Sequence, residues 1–272
     1  TEIISCDSRQ FYRELELGTA KPSPDELAEV PHHLINSLSI TEEYDVKKFE
    51  KDALAILDRL FEQKEVVLMT GGSGLFADAI TQGFDDMPDI SPVVRETIIQ
   101  EYEEKGLDWL QTEVKAADPE YFELVDQQNP QRLMRALEVI RGTGKKFSSF
   151  RVKKKVERPF QILKIGLNRD REELYQRIDL RMDQMIDLGL FEEAKSFFDQ
   201  RHLNALQTVG YSEIFGYLEG KYDREEAIRL LKRNSRRYAK RQLTWFRRDP
   251  EIQWFHPQQF EEIQQWVESQ IG

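Results

Sequence analysis

The chain has 272 residues, 39% hydrophobic and 11% aromatic, enough to bury one large core or a core with a smaller appended domain, and this excludes a disordered chain. One cysteine, Cys6, excludes an internal disulfide and a thiolate-rich zinc site; His32, His33, His202 and His256 lack metal-ligand spacing, so no metal site is expected from side chains alone. The net charge of −11 argues against a nucleic-acid partner unless the basic residues are concentrated in one place, and no apolar run reaches the roughly 18 residues of a membrane helix. With no signal peptide at its start, the protein is expected to be soluble, cytoplasmic, free of membrane contact and monomeric.

The N-terminal third alternates strand-like and helical runs. "EIIS" reads as a buried strand that breaks at Asp7, placing a carboxylate at the carboxyl end of a strand, where open α/β sheets hold their ligands; a turn or cap carboxylate is the plainer reading. Cys6 beside it reads as a small core residue. "GTAKPSPDELAEVPHHLI" reads as a loop, in which Lys21 faces a phosphate or water, and a helix is predicted from about Val46 to Gln63. "VVLMT" then reads as a buried strand, Gly71 and Gly72 as a tight turn, and Ser73 as the N-cap of a helix whose first amides suit an anion. The glycine turn matches neither GxxxxGK[ST] nor GxGxxG. Strand, helix, strand in this order predicts a parallel sheet with crossover helices, an α/β fold.

From Met87 to about Arg158 the strand signals stop. Ser91 and Pro92 form a cap and first helical residue, and Asn129 with Pro130 opens "QRLMRALEVI", whose Leu133, Leu137 and Ile140 share one face while Arg132 and Arg135 share another. A strand returns in "FQILKIGL", after which the chain reads as helical almost to its end. Asp170 and Glu173 read as a capping box opening a helix with a core stripe of Leu174, Ile178, Met182, Met185 and Leu188, stopped by Gly189. The expected organisation is therefore an α/β core from residues 1–86 and 158–272, interrupted by a helical insertion over 87–157.

The basic residues are concentrated after all. Arg229, Lys232, Arg233, Arg236, Arg237, Lys240, Arg241, Arg247 and Arg248 follow one another with no acid between them, and Arg141, Lys145, Lys146, Arg151, Lys153, Lys154, Lys155 and Arg158 are interrupted only by Glu157. On the helix predicted from about Arg224 to Phe246, like charges three and four apart repel, which predicts an anion bound against them. RNA or a polyphosphate is the expected partner.

Eight ordered stretches carry a resemblance over nearly the whole chain: "DSRQFY" (7–12), "GTAKP" (18–22), "VPHHLI" (30–35), "GGSGLF" (71–76), "NPQRLMRALEV" (129–139), "RIDLRMDQMIDLGL" (177–190), "QTVGYSE" (207–213) and "RYAKRQLTWFRR" (237–248). The sequence resembles the tRNA dimethylallyltransferase family, also called tRNA isopentenyltransferases. The resemblance implies a P-loop-NTPase-like parallel sheet with a helical insertion that contacts tRNA. It also implies transfer of a dimethylallyl group from dimethylallyl diphosphate to N6 of the adenosine 3′ of the anticodon, with Mg2+ accompanying the diphosphate. On that reading Asp7 is the general base. The tRNA path follows Asp7, Ser8, Arg9 and Gln10, then Gln131, Arg132, Leu133, Met134 and Arg135, then Gln207, Thr208, Val209, Gly210, Tyr211 and Ser212. Ser73 and Arg95 lie near the reacting nucleotide, and Lys21, Arg236, Lys240 and Arg241 meet the diphosphate or the RNA backbone. Gln207 stands where some members carry arginine.

The sequence departs from the family pattern at its start. The resemblance implies a strand and a GPTxxGKT-type loop about thirty residues ahead of "DSRQ", and Thr1 stands six residues before Asp7, so the phosphate-loop strand is absent from this chain and a fragment of a longer enzyme is expected. Without that strand, the first strand of this sequence would lack its central neighbour. Three other activities or roles stay open on the sequence: an adenylate isopentenyltransferase acting on free AMP, ADP or ATP, a P-loop nucleotide kinase, and a non-catalytic RNA-binding module.

Overall fold

A computed structural model describes residues 1–151 and 156–272. Within them the chain forms two compact units, one from residues 1–81 and 158–272, the other from 82–157. Lys153, Lys154 and Lys155 of the second basic block lie outside the described residues.

The first unit is α/β. Strand β1 (Ile3–Ser5) lies between β2 (His32–His33) and β3 (Leu68–Thr70), all parallel, with Ile4 opposite His33 and Met69. β1 therefore has a neighbour on each side, correcting the expectation that it would lack one. Ile4 and Ser5 are buried, whereas Val66 and Leu68 are exposed, so "VVLMT" is not the buried strand its apolar run predicts. A second parallel pair joins β4 (Ile165–Leu167) to β5 (Gln253–Phe255). The sequence reading missed β5, because three residues are too few to show alternation, and Ile165 and Leu167 of β4 are also exposed.

The stretch predicted as a loop after "GTAKP" contains helix α1 (Pro24–Glu29) as well as β2. Its start has a capping box: Ser23 Oγ accepts from the Glu26 amide and Glu26 accepts from the Ser23 amide, with Pro24 in the first turn. Helix α2 (Val46–Phe61) is capped by Asp45 and buries Phe49, Ala53, Leu57 and Leu60 at the expected spacing. Phe49 packs on Phe11 and on Phe76 of α3 (Gly74–Thr81), which joins the sheet to its crossover helices. Arg158, counted above with the basic block, turns inward: its guanidinium donates to the carbonyls of Ala79 and Ile80 at the end of α3 and to Glu50 of α2. A cation at a helix C-terminus satisfies carbonyls that the helix itself leaves open.

In the second unit, α4 (Pro92–Ala117) is broken at Gly106, whose φ of 77° leaves the helical region. It is followed by α5 (Pro119–Leu124) and α6 (Pro130–Thr143). Asn129 caps α6 through its side-chain oxygen, as the Asn-Pro pair predicts, and Gly144 ends it with φ 71°. The unit has its own core, in which Ile98, Leu110, Val114, Leu133, Ala136, Leu137 and Val139 are buried. Asp118 is fully buried and satisfied, accepting from the Tyr121 amide and from the amide and hydroxyl of Ser148.

The remaining helices of the first unit are α7 (Arg171–Asp187), α8 (Leu190–Ser196), α9 (Ser212–Leu218), α10 (Arg224–Phe246) and α11 (Phe260–Ile271). Ile178, Met182 and Met185 form the buried stripe of α7, but Leu188 is 71% exposed and is no part of it. Asp170 makes no side-chain cap bond, and Glu173 pairs instead with Arg169 and His256, so the expected capping box does not form. The apolar faces of α7, α8, α9 and α10 close on one cluster with Tyr12, Leu15 and Ile40.

Candidate active site

Asp7 follows β1 directly. Its Oδ1 accepts from the backbone amides of Arg9 (2.8 Å) and Gln10 (3.3 Å), and these bonds fold "DSRQ" into a turn over the strand end. Burial pushes its carboxyl above the usual carboxylate range; the two amides, and then the charges of Arg9 and Arg181, pull the other way. Among the described residues no cation lies within ion-pair distance of it. Cys6, beneath it, is buried and its thiol is pushed up to about 12, first by burial and then by the Asp7 charge, as befits a core residue.

The glycine turn lies alongside. Ser73, buried to 9% exposure, accepts from the Ser8 amide (3.0 Å) and donates to Ser8 Oγ (3.1 Å), so its hydroxyl braces the Asp7 turn while its carbonyl accepts from the Phe76 and Ala77 amides at the start of α3. Helix α10 packs against the same turn: Gln242 donates to the Gly72 carbonyl at 2.8 Å, and Trp245 donates to Asp78 at 3.0 Å. A β-carbon on Gly74 would lie 2.3 Å from the Trp245 ring, so only glycine permits this approach. Tyr238 of α10 is partly exposed; burial raises its hydroxyl pKa, with the Asp7 charge adding to the shift and Ser73 opposing it.

The basic rows of α10 are not equivalent. Arg229 pairs with Glu226 one turn earlier, Lys232 with Asp183 and Arg236 with Asp179, the last two acids coming from α7. The anion predicted to face that row is thus supplied partly by the protein itself, and Arg236, expected to meet phosphate, donates from Nη1 to both carboxylate oxygens of Asp179. Arg237, Lys240 and Arg241 remain exposed and have no acid partner among the described residues. Arg177 and Arg181 on α7 are likewise exposed and unpaired. The sequence reading left Arg181 out, although it stands in the quoted "RIDLRMDQM" and its charge reaches Asp7; only the packing of α7 shows this.

Several residues expected to touch substrates are held inside the protein. Lys21 has a side chain only 3% exposed and donates to the Tyr12 carbonyl (2.7 Å) and Asn36 Oδ1 (2.5 Å), with Glu16 at 3.5 Å. It clamps two loops and offers no proton to a phosphate. Gln10 donates its side-chain amide to the carbonyls of Thr19 and Ala20 and accepts from Ser5. Leu133 (0% exposed) and Met134 (9%) belong to the core of the second unit, which corrects their place on a tRNA path. Tyr211 is fully buried, and Gly210 is buried with its amide donating to Glu213, so of the stretch 207–212 only Gln207 and Ser212 are exposed, with Thr208 and Val209 half-buried.

In the second unit Gln131 and Arg132 are exposed on the first turn of α6. Arg135 and Arg95 converge on the buried carboxylate of Glu138 at 2.7 and 3.3 Å. Arg141 pairs with Glu101 and Glu113, leaving Lys145, Lys146 and Arg151 of that block exposed.

An α/β core with a half-buried strand-end carboxylate that the charges of Arg9 and Arg181 reach, and with exposed cations on α10, suits a transferase that handles anionic ligands. Comparison makes this specific: the chain belongs to the IPP transferase family, whose model matches residues 10–249. It is 50% identical over 271 residues to tRNA dimethylallyltransferase 1 of Bacteroides fragilis, covering all of this chain and 90% of that protein. The full-length tRNA isopentenylpyrophosphate transferase of Bacillus halodurans superposes with a TM-score of 0.72 at 34% identity, over 99% of this chain and 88% of that one. A eukaryotic dimethylallyltransferase captured acting on tRNA gives 0.73 at 26% identity, over 90% of this chain and 63% of that one.

Proposed function

We propose that the protein transfers the dimethylallyl group of dimethylallyl diphosphate to N6 of the adenosine 3′ of the anticodon in tRNA, with Asp7 as general base. The observation that carries this reading is the state of Asp7: a carboxylate at a strand end, held by two amides, made more basic by burial and, among the described residues, free of a salt bridge. An exocyclic amine is a weak nucleophile because its lone pair is delocalised into the purine ring. As the N6–C bond forms and the C–O bond to diphosphate breaks, the N6 proton passes to the Asp7 carboxylate and the electron pair leaves with the diphosphate. Charge develops on the leaving group at that moment, and the exposed cations Arg181, Arg241 and Lys240 are the side chains proposed to meet it.

The adenine must leave its stack to reach Asp7. Arg9, Ser8 and Ser73 would receive it, with Gln207 and Ser212 on the RNA path; Gln131, Arg132, Arg135 and Arg95 are proposed as RNA contacts of the second unit. The core is read as P-loop-NTPase-like: the exposed Leu68 of one sheet, with Val66 just before it, and Ile165 and Leu167 of the other would be covered by a further parallel strand of the kind the resemblance implies.

Magnesium is the expected companion of the diphosphate. Among the described residues no group of three or more His, Cys, Asp or Glu side chains is placed to hold a metal ion, so these residues do not build such a site by themselves and no step is assigned to one. Among the described residues no helix is long and apolar enough to cross a membrane; a cytoplasmic monomer is the proposed working form. The test is mass spectrometry of an anticodon stem-loop incubated with dimethylallyl diphosphate, magnesium and the full-length protein, with AMP as the parallel acceptor. Prenylation of the stem-loop in preference to AMP is expected. Equal rates on AMP, or no transfer to either, would overturn the assignment.

A further inference from the structure

Three segments distant in sequence meet on one carboxylate that the reaction scheme above does not use. Glu193, in the first turn of α8, accepts from the Leu17 amide through Oε2 (2.9 Å) and from the Gly18 amide through Oε1 (3.1 Å). The same Oε1 accepts from the buried Tyr211 hydroxyl at 2.5 Å. The Tyr211 ring packs so close to Gly18 that an added β-carbon would come within 2.4 Å of it, so glycine permits the two segments to meet here. Glu193 has no salt bridge among the described residues; its donors are neutral and each sets a direction, as befits a group that fixes geometry.

The turn that Glu193 fixes leads to the catalytic end of β1. The carbonyls just after Gly18, those of Thr19 and Ala20, accept both protons of the Gln10 side-chain amide at 3.3 and 3.1 Å. The Gln10 backbone amide, in turn, is one of the two donors on Asp7 Oδ1. On its other side Tyr211 leads into Ser212 and so fixes the end of the Gln207–Ser212 turn. Resting on the functional reading above, we propose that Glu193 is a positioning residue that ties the RNA-facing 207–212 turn to the Asp7 carboxylate, so that the acceptor nucleotide and its base keep one mutual geometry.

A plain core brace and a positioning residue respond differently to Glu193→Gln. The amide keeps one oxygen and turns an NH2 towards a backbone N–H, so one side of the junction opens while the volume stays the same. Loosening Gln10 removes a bond that favours ionised Asp7, so the acidic limb of kcat/KM for the stem-loop moves to higher pH by about one unit, the size of one lost charge-assisted hydrogen bond. Tyr211→Phe removes only the phenol's bond; it is expected to raise KM for the stem-loop roughly tenfold while kcat and the acidic limb stay in place.

The measurement is a pH profile of stem-loop prenylation by the full-length protein and both variants, with folded fractions matched by thermal melts. An acidic limb of Glu193→Gln that coincides with the wild type overturns the proposal, as does an unchanged KM in Tyr211→Phe, which keeps the test decisive if the first variant does not fold. A wild-type protein that prenylates no stem-loop overturns the functional reading too, and is seen before either variant is assayed.

Discussion

Two acids, the half-buried Asp7 and the buried Glu138, one in each unit, show how differently a protein can set the surroundings of a carboxylate. Glu138 is clamped between Arg95 and Arg135, so its charge is matched by two guanidiniums and its task is to aim them. Asp7 accepts from backbone amides alone, and burial raises its affinity for a proton. The difference lies in where the compensating charge is placed: a counter-ion in contact lowers the pKa of a carboxylate strongly, whereas the two amides lower that of Asp7 by less than burial raises it and leave it able to take a proton.

The contrast fails most visibly if Asp7 is not the base. Asp7→Asn keeps the shape and can still accept from both amides, so kcat is expected to fall by about 10²- to 10⁴-fold while stem-loop affinity stays within a few-fold, read by single-turnover assay and filter binding. A matching collapse of affinity would make Asp7 an RNA contact instead. In the wild type, activity should fall as the medium is acidified through the raised Asp7 pKa, at a higher pH than the roughly 3.9 of an unshifted aspartate, because only the ionised form accepts the proton.

Glu138→Gln probes the other half of the comparison. Two arginines lose their common anchor, and since both are partly exposed the stability loss should be about 1–2 kcal/mol by denaturant unfolding. KM for the stem-loop rises and the pH profile does not move; a shifted acidic limb would erase the distinction between the two acids.

A weaker effect separates the paired from the unpaired cations of α10. Replacing Lys240 and Arg241 with glutamine should flatten the slope of log affinity against log salt by roughly 1.4, the value for two contacts to a single-stranded loop. The same replacement of Lys232 and Arg236, which face Asp183 and Asp179, should change it less. The smallest effect is expected at Leu188, where replacement with lysine should leave stability within about 0.5 kcal/mol, because the side chain is already in water.

The parts of this protein legible in its sequence are those fixed by neighbours in the chain. Asn129 before Pro130, the glycine turn after "VVLMT" and the position of Asp7 after a strand follow from local rules. The α7 acids that face α10 do not, since helical spacing reports only on charges of the same helix. Nor does a motif separate residues that touch a ligand from those that hold the touching ones: Lys21, Leu133, Met134 and Tyr211 all stand in the stretches that carry the family resemblance, and all are buried. β2 and β5 escaped because two or three residues carry no period.

The indole of Trp245 fills the volume that any side chain at position 74 would require. The cationic helix is therefore geared to the loop by shape as well as by charge. A single methyl group added there, against the ring on which Arg248 stacks, should tilt the electropositive helix away from the strand ends, so that a defect in anion capture could arise from a substitution that alters no charge at all.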